Sequence, residues 1–230
     1  MTSLFTQPVA RWFLATTMIA VGACRGTPGP KSEPSPALAV SPPASDAAGI
    51  AKARADSARL PYTETDVHFM SGMIGHHSQA ILMARWAQSH GANPSVRTLA
   101  ERIINAQQDE IAIMKQWLRD RLQPVPEVTP TGVKMTMGGM VHDMPMPGML
   151  TEAQLKELDA ARGPEFDRRF LTFMIQHHRG AIQMVKELHS TPGAAQDELV
   201  FKLSNDVNVD QTTEIARMQR MLVSLTANPF

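Results

Sequence analysis

Between residues 60 and 230 apolar side chains return every three to four positions in four long stretches, the period of helices that bury one face. The first covers about 65–89, with Thr63 or Thr65 as its cap and Gly91 as its stop signal. At about 100° per residue, Asp66, Phe69, Met70, His76, His77, Ala80, Met83 and Ala84 fall within about 80° of Met73, on a core face. Ser71, Gly75, Ser78, Gln79 and Arg85 fall opposite. The second stretch, about 94–122, lines up Leu99, Ile103, Gln107, Glu110, Ile111, Met114 and Leu118. The third, about 164–189, gives the same wheel around Met174, with Pro164 in its first turn. The fourth covers about 194–225. Short Gly, Pro and Asn links inside each pair predict antiparallel hairpins, and two hairpins predict an all-α four-helix bundle. Alternating runs are absent, so strands are not expected. Residues 123–150, broken by five prolines, read as a long crossover linker, and 151–163 as a short amphipathic helix with a threonine cap and a glycine stop.

The two halves repeat one another. Asp66, Phe69, Met73-Ile-x-His76-His77, Ala80-Ile81 and Met83 return as Asp167, Phe170, Met174-Ile-x-His177-His178, Ala181-Ile182 and Met184, offset by 101 positions. In the second helix of each pair, Gln107-x-x-Glu110-Ile111-Ala-x-Met114 answers to Gln211-x-x-Glu214-Ile215-Ala-x-Met218 at an offset of 104. The link inside the second pair is therefore three residues longer. A repeat of this length is a duplicated structural unit.

The duplication carries imidazoles and thioethers, ligands that soft and borderline metals favour. Adjacent helical residues diverge by about 100°, so His76 and His77 are not a chelating pair alone. Met73 lies three positions before His76 and four before His77, and neighbours both. If the equivalent helices face each other, His76, His77, His177 and His178 converge with Met73 and Met174 beside them. That set suits copper, since imidazole serves Cu(I) and Cu(II) and thioether favours Cu(I) or Ag(I). Zinc could use the histidines but gains nothing from the methionines. The competing reading is that the histidines are buried polar groups satisfied by Gln107, Glu110, Gln211 and Glu214. Those same residues could instead orient imidazoles around a metal. Met70, Met83, Met114, Met184, Met218 and Met221 read from their spacing as core packing, and Asp66 and Asp167 as carboxylates favoured by the helix dipole. His68, His90 and His189 read as solvated. The linker holds a second candidate site in Met135, Met137, Met140, His142, Met144, Met146 and Met149, a density that either binds soft metal or plugs an apolar seam.

The N-terminus is a different kind of sequence. Arg11 precedes an apolar run too short to span a bilayer, which ends in Val21-Gly-Ala-Cys24. These residues resemble the lipobox of bacterial lipoproteins and predict a signal peptide over 1–23 with lipidation at Cys24. Cys24 is the only cysteine, so the folded part has no thiolate site and no disulfide. Residues 24–59, rich in Pro, Ala and Ser, read as a disordered tether. The folded domain is then 60–230, with halves at about 60–122 and 151–227. Lys and Arg number 22, as do Asp and Glu, and the basic residues are scattered, which argues against a nucleic-acid partner.

The Phe-x-x-x-Met-Ile-x-His-His-x-x-Ala-Ile-x-Met pattern of 69–83 and 170–184, the Met-Pro-Gly-Met-Leu-Thr run at 146–151 and the Phe166-Asp167 pair resemble a bacterial family known as domain of unknown function 305. That resemblance implies a ferritin-like fold and exported copper-binding proteins of the CopM kind. It also implies metal contacts at Met73, His76, His77, Met83, Met174, His177, His178 and Met184, and supports a metal role for the linker methionines. The expectation is an exported, lipid-anchored copper binder of the cell envelope, on the periplasmic face of the outer membrane if the host has two membranes. No catalytic constellation is present. A metal donor or acceptor protein is unidentified, and association into a homo-oligomer is left open. The alternatives are a bundle-core metal oxidoreductase and a structural or partner-binding lipoprotein whose histidines only hydrogen-bond.

Overall fold

A computed structural model describes residues 61–137 and 140–227, all within a compact unit spanning Pro43–Phe230. The signal peptide, Cys24 and tether expected over 1–59 lie outside the described residues. Five helices and a small sheet follow in the order α1 (Glu64–Ser89), α2 (Pro94–Asp120), β1 (Glu127–Thr129), β2 (Gly132–Met137), β3 (Met140–Met144), α3 (Glu152–Ala160), α4 (Gly163–Ser190) and α5 (Glu198–Ala227). The helices pack as two pairs, α1 with α2 and α4 with α5, and the two histidine-bearing helices α1 and α4 also pack on each other.

The helix starts follow from their side chains. Thr63 caps α1 in a capping box, its hydroxyl accepting the Asp66 N–H at 3.2 Å while Asp66 Oδ2 accepts the Thr63 N–H at 2.7 Å. Thr151 caps α3 in the same way with Gln154. Gly91, at φ 70°, follows the end of α1 as expected. Gly163 does not stop α3, which ends at Ala160; it opens α4. The last helix begins at Glu198, not near Ala194, because 191–197 form a connector in which Ala195 takes φ 55°.

Asp66 and Asp167 do more than face a helix dipole. Asp66 Oδ1 reaches from α1 to the connector before α5 and accepts the Ala195 N–H at 2.7 Å. Asp167 reaches from α4 to the connector before α2 and accepts the Asn93 N–H at 3.0 Å. Each inner helix thus fastens the turn of the other pair, and each buried carboxylate satisfies a backbone donor that would otherwise be stranded. A third clasp is unpaired in the repeat. Asp197 caps α5 through the Leu199 and Val200 amides, accepts from Trp117 Nε1 at 3.1 Å, and forms a buried ion pair with Arg121 at the end of α2. His90, expected to be solvated, is buried: its Nε2 donates to the Asp159 carbonyl at 2.9 Å and joins the end of α1 to the end of α3. His189 is exposed and meets the Ser204 hydroxyl at 2.8 Å, and His68 is half-buried.

The linker corrects the all-α expectation. Its first half is a three-stranded antiparallel sheet in the order β1-β2-β3, with Thr129 opposite Gly132 and Met137 opposite Met140. Gly138-Gly139, between two short runs, is a hairpin signal that the prolines and methionines overshadowed. β1 and β2 lie on α1, which is why Ser71, Gly75 and Gln79, on the face opposite Met73, are buried. A Cβ at Gly75 would come within 2.2 Å of Val133 Cγ1, so only glycine lets β2 sit so close. The second half, 146–150, crosses to α4, where a Cβ at Gly180 would come within 1.9 Å of the Pro147 carbonyl oxygen. Gln79 donates to the Pro130 and Leu150 carbonyls and accepts the Leu150 N–H, while Gln176 donates to the Gly148 carbonyl. At the equivalent positions 75/79 and 176/180 the two helices carry Gly/Gln and Gln/Gly. Swapping the order seats one asymmetric linker on two similar helices.

Replacing Asp66 with Ala removes the α1 capping box and strands the Ala195 amide, a loss of about 2–4 kcal/mol. The exposed Glu64→Ala change in the same turn should stay within about 0.5 kcal/mol. Urea denaturation of both variants checks the difference.

Candidate metal centre

All four histidines of the repeat are completely buried. His76 of α1 and His177 of α4 meet face to face, with ring centroids 3.7 Å apart and planes inclined by 38°. His77 and His178 point outward to the second helix of their own pair, each ring 6.3 Å from its neighbour in sequence. There the repeat of the second helices explains itself. His77 Nε2 donates to Glu110 Oε2 and His178 Nε2 donates to Glu214 Oε2, both at 2.7 Å. Asp210, one turn before Glu214, has its carboxyl pushed up by burial and by Glu110, Glu214 and Asp206, which places the carboxylates of both pairs in one neighbourhood.

The acceptors fix the tautomers. A carboxylate or carbonyl can only accept, so the ring nitrogen facing it carries the proton. His76 Nε2 donates to the Pro147 carbonyl at 3.0 Å. His76, His77 and His178 therefore hold their protons on Nε2, and the Nδ1 atom of each is buried without a partner. Both ring nitrogens of His177 are buried and unpartnered. Burial first, and the neighbouring His77 second, hold His76 well below its ordinary value. Burial and then His76 do the same for His177. Burial lowers His178, with Glu214 opposing. The centre is a set of fully buried imidazoles, and burial favours the neutral ring at His76, His177 and His178.

Sequence reasoning paired Glu110 and Glu214 with the histidines, and the structure does so too. Gln107 and Gln211 are buried near the same stripe, but both side-chain atoms of Gln107 and Oε1 of Gln211 have no partner. The Pro147 carbonyl was missed; a backbone atom 71 residues from His76 leaves no mark in a side-chain pattern. The core methionines Met73, Met83 and Met174 are fully buried and Met184 nearly so. Met73 and Met184 share one apolar cluster, Met83 and Met174 the other. Each inner helix thus gives one of these thioethers to each side of the stacked imidazoles. Among the linker residues, Met146 and Met149 are buried in the first cluster and Met144 packs against it. The backbones of Met135, Met137, Met140 and His142 pair in β2 and β3, with Met135 opposite His142; their side chains lie outside the described residues. A cleft of about 500 Å³ opens beside the 146–149 strap, lined in part by Gly148, Gln176, Arg179 and Gly180.

Among the described residues no group of three or more His, Cys, Asp or Glu is placed to hold a metal ion. The two inner imidazoles lie tilted against each other and the two outer ones turn to carboxylates, so the histidines alone do not make a ligand set. Four histidines with five unpartnered ring nitrogens, one of the two on His177 carrying its proton, and methionines on either side fit a soft monovalent ion better than a hard or strictly tetrahedral one.

The sign of the pH dependence follows. His76, His177 and His178 are depressed below the ordinary value of 6.5, so below that pH the unfolded chain binds protons that the folded chain refuses. The stability each contributes is intact above about 6.5 and is lost as pH falls toward the folded value, by about 1.4 kcal/mol per unit for each group. Urea titrations between pH 7.5 and 5 should show this slope, and His76→Gln with His177→Gln should flatten it.

A family model described as a domain of unknown function, DUF305, matches residues 66–222. A solved DUF305 protein of Streptomyces coelicolor superposes with a TM-score of 0.59 at 28% identity, over 70% of this chain and 93% of that one. CopM in its Cu(I)-bound form superposes with a TM-score of 0.53 at 29% identity, over 71% of this chain and 98% of that one. CopM has also been solved with Cu(II) and with Ag bound. An uncharacterized protein, L153, of Acanthamoeba polyphaga mimivirus is 41% identical over 56 residues, 24% of this chain and 37% of its own length.

Proposed function

The chain belongs to the DUF305 family, and on that premise we propose that it is an exported lipoprotein that binds copper, chiefly Cu(I) and also Ag(I), for sequestration, tolerance or transfer. The observation that carries this reading is the buried imidazole centre: His76, His77, His177 and His178 present five unpartnered ring nitrogens between two groups of methionines. A protein that only packed histidines would pair those nitrogens, because each buried unmatched one costs about 1–3 kcal/mol. Similarity to CopM, solved with Cu(I), Cu(II) and Ag, supports the choice of metal.

In this reading the scaffold is a ferritin-like four-helix bundle of two duplicated hairpins. Glu110 and Glu214 hold the outer imidazoles by their Nε2 protons and make Nδ1 more basic toward a cation. The Pro147 carbonyl does the same for His76 from the strap. Burial favours the neutral ring at His76, His177 and His178, so an ion there does not have to displace a second proton near neutral pH. Met73, Met83, Met174 and Met184 supply sulfur on the two flanks, and the β2–β3 methionines with His142 offer a weaker outer site. The chain is a binder, not a catalyst. Cys24 anchors it to the envelope, and among the described residues no helix is long and apolar enough to cross a membrane.

The test is Cu(I) competition between the purified full chain and a chromophoric chelator, with a variant carrying Gln at positions 76, 77, 177 and 178. Tight binding lost in the variant is the expected result. Binding retained by the variant moves the site to the linker methionines, and absence of binding in both removes the copper reading.

A further inference from the structure

Among the described residues, three of the large apolar side chains that remain exposed gather at one end of the bundle. That end is built from the start of α1, the end of α2 and the start of α5. Gln123, after α2, donates to the Tyr62 hydroxyl before α1 at 3.0 Å, and the Tyr62 and Trp117 rings lie 5.5 Å apart. Arg121 pairs with Asp197, the cap of α5. Leu122, beside Arg121, is 93% exposed, and Leu199 and Phe201, in the first turn of α5, are 38% and 54% exposed. Elsewhere Ile113, Val128, Val209 and Val223 are exposed one at a time, as scattered surface residues ordinarily are.

Leu122 is the least expected of the three. The end of α2 has the bonds of a Schellman cap: the Leu122 N–H returns to the Arg119 carbonyl at 3.0 Å and the Gln123 N–H to the Leu118 carbonyl at 2.8 Å. The residue that turns the chain there is left-handed, and glycine usually supplies it because a Cβ is strained. In this chain it is leucine, at φ 56°. Holding leucine in that conformation costs backbone energy, and leaving its side chain in water forgoes burial. The fold gains from neither, so the side chain is placed for a contact outside the fold.

The sequence says what that contact is. The described chain begins at Pro61, two residues before the Thr63 cap, at this same end. The segment before it leads back to Cys24, which we read as lipidated, and the 36 residues between them reach no further than about 130 Å even when extended. A lipid surface is therefore always near, and a contact made by a tethered domain needs little affinity of its own. The exposed charges beside the three apolar groups balance, Arg119 with Asp120 next to Leu122 and Glu198 with Lys202 next to Leu199 and Phe201. A neutral apolar patch suits the boundary between headgroups and acyl chains and suits a charged partner poorly.

We infer that this end of the bundle is a membrane-contact surface, at which Leu122, Leu199 and Phe201 enter the lipid surface that holds the anchor. The inference rests on the lipoprotein reading and adds an orientation to it. The starts of α1 and α5 face lipid, and the far end of α5, with Val223, faces away. Among the described residues no helix can cross the bilayer, so the contact is peripheral.

The experiment uses the full chain, lipidated in a bacterial envelope, purified and reconstituted in phosphatidylcholine vesicles. Cys24 is the only cysteine and acylation consumes its thiol, so Leu122→Cys, Phe201→Cys or Val223→Cys each offers one thiol to a nitroxide label. Power saturation compares the label's accessibility to oxygen, which concentrates in lipid, with that to a water-soluble paramagnetic chelate. Labels at 122 and 201 should favour oxygen, and the label at 223 should favour the chelate. Leu122→Gly, which suits the turn, should shift the label at 201 toward the chelate. Labels at 122 and 201 that favour the chelate as the one at 223 does, on protein whose mass includes the acyl chains, overturn the inference while the lipoprotein reading stands. Labels there that are shielded from both agents also overturn it, since they report contact with a second protein. A chain recovered without acyl chains removes both.

Discussion

Four fully buried imidazoles are the constraint around which the remainder of this molecule is arranged. A buried imidazole can stay neutral, but its N–H still needs an acceptor, and an apolar wall offers none. Glu110 and Glu214 supply two acceptors from the second helix of each pair, and the Pro147 carbonyl supplies a third from the linker. The Gln-x-x-Glu repeat in α2 and α5 is thus the complement of the His-His repeat in α1 and α4. The neutral state of His76 and His177 is not incidental: charging either ring would cost desolvation and set it against its neighbours in a medium that screens poorly. What remains unpartnered is Nδ1 of His76, His77 and His178 and both ring nitrogens of His177, and that residue of unsatisfied chemistry is the strongest pointer to a cation.

Symmetry organises the centre, and one segment departs from it. Asp66 and Asp167 fasten each other's turns, and His76 meets its own equivalent His177. Against this frame lies a linker present only once. It needs to rest on both inner helices, so it exploits small and amide side chains in swapped order, Gly75 with Gln79 and Gln176 with Gly180. By covering α1 with a sheet and α4 with a strap, it excludes water from faces that an isolated pair of hairpins would leave open. It also distributes sulfur unequally. The packing of the linker and the chemistry of the centre are therefore the same problem.

The helices, their pairing and the histidine stripe were legible because period 3.6 and a 101-residue repeat are properties of the order of residues alone. The glutamate partners were legible for the same reason. The sheet was not: proline-rich, methionine-rich sequence has no long alternation, and the Gly138-Gly139 signal is short. Nor was the burial of His90, whose acceptor Asp159 is 69 positions away on another helix. The same holds for the Arg121–Asp197 ion pair. Each depends on which segments meet, and a helical wheel knows only one segment at a time.

By itself the sequence determined the kind of atoms available: imidazole nitrogen and thioether sulfur, doubled, with no cysteine after Cys24 and carboxylates one helix away. Side-chain identity and local periodicity settle those matters, and neither needs a partner segment. Only the tertiary structure decided which ring nitrogens are unpartnered, which methionines share a cluster, and that Gly72 lies close against Met146. Those facts arise from contacts between residues far apart in the chain, and close packing, not periodicity, selects them.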